Sequence, residues 1–151
     1  MKTRNIVLTL VMCFLGLTVC FAESSLMGTW KLDEAKSKLG AGGKNNTVVY
    51  EAAGDNIKCT IDGVDADGKP THIEWTGKFD GKDYPLTGDP SGDMRAYTTV
   101  NERTTKGVTK KDGKVTATSR IVVAADGKTR TVTTDQAGAK KAHIVAVYDK
   151  Q

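Results

Sequence analysis

At 151 residues, with 38% hydrophobic and 26% charged side chains, the chain has material for one ordinary domain and is too mixed for a disordered or low-complexity segment. Its formal net charge is +4, with acidic and basic residues interspersed and only short clusters such as Lys110-Lys111 and Lys140-Lys141; no basic stripe points to nucleic acid. Three cysteines exclude a disulfide-dense scaffold.

The first element reads as an export signal. Lys2 and Arg4 precede an apolar run from Ile6 to Phe21, which ends at the small residue Ala22. That order of cationic, apolar and small residues marks a cleavable signal over residues 1–22, with the domain over 23–151. The run is shorter than a comfortable span of about 20 residues, and no second apolar stretch follows. A soluble product in the periplasm or secreted from the cell is expected, without a membrane span. A competing reading attaches lipid at Cys20, but Val19 is larger than the Gly, Ala or Ser wanted before such a cysteine. Removing Lys2 and Arg4 lowers the charge from +4 to +2, and losing Cys13 and Cys20 leaves Cys59 as the lone thiol, so no intramolecular disulfide forms.

From residue 23 onward the pattern is that of short strands between tight turns. Asp-Gly-Lys occurs at Asp67, Asp80, Asp112 and Asp126, and further breaks fall at Gly54-Asp55-Asn56, Gly88-Asp89-Pro90 and Ala137-Gly138. Asp-Gly favours hairpins because both residues tolerate positive φ. The spacings of 13, 32 and 14 residues are too irregular for a repeat protein. Strands are predicted near 26–32, 47–53, 56–62, 71–79, 83–87, 93–100, 104–111, 114–124, 129–135 and 142–149, with a short helical turn at Asp33-Glu34-Ala35-Lys36. Period-two alternation puts Val48, Tyr50 and Ala52 on one face, then Ile57, Cys59 and Ile61, then Ile73, Trp75 and Phe79. Eight to ten sequential antiparallel strands leave two raw edges unless the sheet closes. An all-β, up-and-down barrel is therefore expected rather than a sandwich.

Gly28-Thr29-Trp30-Lys31-Leu32 resembles the G-x-W opening of the calycin barrels, the group that includes lipocalins, fatty-acid-binding proteins and avidins. With the meander and the closing Val145-Ala146-Val147-Tyr148-Asp149-Lys150, the chain resembles small bacterial exported lipocalin-like proteins. The resemblance implies a small-molecule ligand inside the barrel. It also implies a barrel floor built from Gly28 and Trp30, with Arg120 or Arg130 as the cation that stacks on the indole. The T-D-Y signature of lipocalins is absent, and Ala146 stands where fatty-acid-binding proteins carry the arginine of an Arg-x-Tyr pair. A fatty-acid site does not carry over.

Tyr50, Trp75, Phe79 and Tyr97 are the aromatic residues expected to line a pocket. The strands between Asp93 and Ser119 are threonine-rich, with Tyr97, Val100, Val108 and Val115 expected to carry their hydrophobic load, so a small amphipathic ligand fits better than a long acyl chain. His143 is expected to share an inward face with Val145 and Val147, while His72 points outward; a lone histidine is a weak basis for a haem ligand. The segment Gly63-Val64-Asp65-Ala66-Asp67-Gly68 with Glu74 fails as an EF-hand, because Gly63 holds the first ligand position and helices are missing. No metal, cofactor or catalytic residue is expected: Cys59 is buried by its alternation, and no nucleophile elbow or phosphate loop occurs. Glu74, Asp93 or His143 facing a cavity would revive an enzyme reading. The alternative to a carrier is an envelope or secreted interaction or inhibitor module with a packed barrel, whose protein partner the sequence does not name.

Overall fold

A computed structural model describes residues 24–138 and 143–151. The export signal, with Cys13 and Cys20, therefore lies outside the described residues, as does the Lys140-Lys141 cluster. Ten strands follow in chain order: β1 (Gly28–Lys38), β2 (Lys44–Ala53), β3 (Asn56–Val64), β4 (Pro70–Gly77), β5 (Tyr84–Thr87), β6 (Met94–Asn101), β7 (Thr104–Lys111), β8 (Lys114–Val123), β9 (Thr129–Gln136) and β10 (His143–Lys150). Each pairs antiparallel with its neighbours, and β10 returns to β1 through Trp30↔Lys150 to Asp33↔Val147, closing an all-β barrel. Closure pairs every backbone edge that an open meander would leave exposed.

The hairpins obey the turn chemistry of the sequence. Between β7 and β8, Asp112 and Gly113 both adopt positive φ, at 50° and 75°, as a two-residue turn matched to strand twist requires. The Asp80 turn behaves differently: it leads from β4 to β5, while Gly81 N–H donates to Tyr97 O at 2.8 Å and Asp80 bridges Thr98. This ties the barrel together where β5, only four residues long, offers few ladder bonds of its own.

The expected helical turn at Asp33–Lys36 is instead strand. β1 runs to Lys38, and its register on β10 slips between Asp33 and Lys38. The extra residues bulge out; Asp33 Oδ1 accepts from Lys36 N–H at 3.2 Å, and Ser37 Oγ accepts Val147 N–H at 2.9 Å in place of a ladder carbonyl. Local acceptors thus satisfy a segment whose composition imitates a helix start.

Inside the barrel, Val48, Tyr50, Cys59, Ile61, Ile73, Trp75 and Tyr97 are buried, on the faces expected from alternation. Outside, Lys58, Thr60, Asp62, His72 and Glu74 form a charged surface, with Lys58 paired to Glu74. No helix among the described residues is long and apolar enough to cross a membrane.

One strand runs in the opposite phase to that expected, and one wall carries less apolar material inward than expected. On β10, Ala146 and Tyr148 face inward, so His143 is exposed and its Nδ1 lies 2.7 Å from Asp135 Oδ1. Val145 and Val147 had suggested the other phase, but a β-branched residue on the outer face of a strand costs little. On the β6 to β8 wall, Val100 and Val115 are exposed, and the inward positions are Tyr97, Thr105, Gly107 and Thr109. That wall is thinner in apolar material than the sequence suggested.

Candidate functional site

Sequential hairpins place alternate turns at opposite ends of the barrel, and the two ends are built from different chemistry. The turns after β2, β4, β6 and β8 and both described termini lie at one end, which an aromatic block fills. Trp75 stacks on Phe79 at 5.9 Å and meets Tyr97 and Tyr84 edge-on at 4.8 and 5.9 Å; Phe79 also meets Tyr97 at 5.4 Å and Tyr50 at 6.3 Å. Trp75 Nε1 donates to the Arg95 carbonyl at 2.9 Å, satisfying its polar atom inside the packing. Gly107 makes room for this arrangement, since a Cβ there would press on Tyr97 at 3.1 Å and collide with Ser119 Oγ.

Beside the block lies the floor. Trp30, fully buried, donates from Nε1 to Leu26 O at 2.7 Å. Gly28, at the head of the same strand, has a φ of 104° and leaves room for Lys150, whose Nζ lies 5.3 Å from the Trp30 ring centroid. The structure separates the two candidate cations. Arg130 on β9 points inward, its Cζ 5.1 Å from the Trp30 centroid, 5.3 Å from that of Tyr50 and 4.6 Å from that of Tyr148. Arg120 lies on β8 between the inward residues Ser119 and Ile121, so alternation puts it on the outer surface. Each cation–π contact contributes about 0.5–2 kcal/mol.

Above the floor, toward the other end, the interior opens into a cavity of about 320 Å³. This is at the lower end of the roughly 300–1,000 Å³ typical of small-molecule sites. Val48, Ile61, Ile73, Ile121 and Val132 supply apolar lining, and Thr71, Thr109, Ser119, Thr134 and Gln136, nearer the mouth on their strands, supply hydrogen-bonding lining. Its mouth is formed by the loops after β1, β3 and β5, including Gly42-Gly43, Asp65 and Asp89-Pro90-Ser91. Of the four aromatic residues expected to line a pocket, Tyr50 and Tyr97 do so together with Tyr148, whereas Trp75 and Phe79 sit behind Tyr97 in the block.

Arg95 was not singled out by sequence reasoning, yet it reaches the cavity near the mouth. Its Nη2 donates to Asp89 Oδ2 at 3.0 Å and its Nε to Thr109 Oγ1 at 3.1 Å; only 13% of its side chain and 11% of that of Asp89 remain exposed. The signal was present, since Arg95 stands two residues before Tyr97 and must share its face. Tyr148 was hidden by the misjudged phase of β10.

Burial raises the pKa values of the interior groups. Cys59 is pushed up to about 11, chiefly by burial, with Arg95 and Arg130 opposing. Tyr50 is held well above its ordinary value by burial, against the pull of Arg130, and burial likewise raises Tyr97 and Tyr148. These groups are neutral hydrogen-bonding surfaces near neutral pH. Of the three candidate acid–base residues, Glu74 and His143 lie outside the barrel, while Asp93 Oδ2 accepts the Asp112 N–H at 3.0 Å.

A closed ten-strand antiparallel barrel with a mixed-polarity cavity is thus the class that fold and site define. No protein-family model matches the chain, and no curated protein matches it. Among solved structures, it is similar to a redesigned β barrel, mFAP1, bound to DFHBI, with 12% identity and a TM-score of 0.48 over 83% of this chain and 95% of that one. It is also similar to the amine-binding protein of Rhodnius prolixus, in its tryptamine complex, with 20% identity and a TM-score of 0.44 over 85% of this chain and 65% of that one. Likenesses this distant do not say what this chain binds.

Proposed function

We infer that the protein is an exported binder of a small amphipathic molecule, held inside the barrel, in the manner of lipocalin-like carriers. The observation that carries this reading is the 320 Å³ cavity, lined by both apolar and hydrogen-bonding side chains above a tightly packed aromatic end. A barrel whose only task was to present its outer surface would gain stability by filling that space, because interiors otherwise pack to near-crystalline density. The cavity favours this reading over an interaction module with a packed barrel. The exposed large apolar residues, Val100, Val115 and Val122, are each about half exposed or less.

The test is a small-molecule screen read by intrinsic tryptophan fluorescence and thermal shift, repeated on Ala117→Leu. Ala117 lies on the cavity wall, and the isobutyl side chain that replaces its methyl takes up ligand space. A saturable response in the parent protein, weakened about tenfold or more in the variant with stability changed by less than about 1.5 kcal/mol, supports the reading. Equal responses in both proteins would place binding elsewhere and defeat it.

A further inference from the structure

Two arginines reach the cavity, and the protein treats them differently. Arg95 is answered from within, by the Asp89 carboxylate and the Thr109 hydroxyl. Arg130 is 2% exposed, and its Nε and Nη1 are buried without an acceptor among the described residues. The π faces of Trp30, Tyr50 and Tyr148 stabilise its charge as a whole and the Tyr50 hydroxyl lies beside it, but no carboxylate among the described residues pairs with it. A buried guanidinium with open donors is costly unless an anion completes it. The acidic residues on the cavity wall do not do so: Asp89 is committed to Arg95, and Asp65 accepts the N–H groups of Asp67 and Lys69 in its own loop, both at 2.9 Å.

We propose that the cavity takes a small organic carboxylate, its head group received by the part of the Arg130 guanidinium that lines the cavity and its hydrocarbon body laid against Val48, Ile61, Ile121 and Val132. The proposal rests on the carrier reading and specifies its ligand class. Asp89 on Arg95 shows within the same cavity the pairing that a ligand carboxylate makes with Arg130. Charge-assisted bonds of this kind are the strong ones, and a carboxylate supplies the countercharge that Arg130 lacks. A ligand with a neutral head of the same shape leaves the guanidinium charge unpaired.

The experiment compares phenylbutyrate with its neutral isostere phenylbutyramide by calorimetric titration near neutral pH. On the unmutated protein, a saturable isotherm with the carboxylate about tenfold or more tighter than the amide is expected. Arg130→Met brings the two within about twofold, and Arg130→Lys, which keeps a positive charge there, retains part of the preference. Should Arg130→Met fail to fold, the parent protein and Arg130→Lys still decide. Equal affinity for both compounds on the parent protein would overturn the carboxylate proposal and leave the carrier reading standing. Saturation by neither compound would remove both for ligands of this size. A preference that survives Arg130→Met but vanishes in Arg95→Met would move the head group to the mouth and overturn the assignment to Arg130.

Discussion

The two ends of the barrel meet the same requirement, covering an interior, in different ways. At the floor, aromatic rings from β2, β4 and β6 interlock around Trp75 and Tyr97. At the mouth, loops with glycine, proline and short polar side chains are held by an ion pair, Asp89 to Arg95. Large rings pack without leaving room and so close space; a polar latch on a loop covers space without filling it. The difference explains why the cavity lies toward the mouth, and why stability should reside mainly in the floor.

The strongest way to break this division is Trp75→Ala. Trp75 is 1% exposed and touches three other rings, so its loss is expected to destabilise by about 3–5 kcal/mol in chemical denaturation. A cost below about 1 kcal/mol would mean that the aromatic block is not the anchor.

Alkaline pH should act on the floor as well. Cys59, Tyr50, Tyr97 and Tyr148 keep their protons in the folded protein at pH values where the unfolded chain has lost them. The unfolded state then binds fewer protons, so stability falls as pH rises through that window. With Cys59 moved from 9.0 to about 11, its share is about 2 kcal/mol by pH 10.5. A urea midpoint that stays level from pH 8 to 10.5 would contradict the burial of these groups. Cys59 should also resist thiol reagents until the protein unfolds.

At the mouth, Asp89→Asn removes a charge from a mostly buried pair and should cost about 1–2 kcal/mol. The tryptophan emission, which reports the other end, should stay the same. A shift in emission would show that the two ends are coupled. The smallest effect is expected outside the barrel. His72 is exposed, and its pKa is raised by its hydrogen bond to Asp62, so this pairing favours folding at low pH and fades as pH rises past the histidine's own titration. His72→Gln should change stability by less than about 0.5 kcal/mol.

Strand positions were legible because turn chemistry and alternation are local. The β7 strand runs over the expected residues, and eight of the others end within about three of them, because Gly, Asp and Pro punctuate the chain wherever they fall. β1 is the exception, since its continuation through Asp33–Ser37 depends on hydrogen-bond partners supplied by β10 and by the bulge itself. The candidate site was less legible. Tyr50, Tyr97 and Arg130 could be named from their types, but the inward phase of β10 was misread because Val145 and Val147 are as apolar as Ala146 and Tyr148.

By itself, then, the sequence determined an all-β meander with Trp30 and the aromatic residues inside, because hairpin turns and period-two patterning act over a few residues at a time. Only the tertiary structure decided which arginine is buried and which is free. Arg120 and Arg130 stand on neighbouring strands with similar surroundings in sequence, and the register of β8 on β9 turns one outward and buries the other at the base of the cavity. Register is a property of paired strands, and a single strand read alone does not contain it.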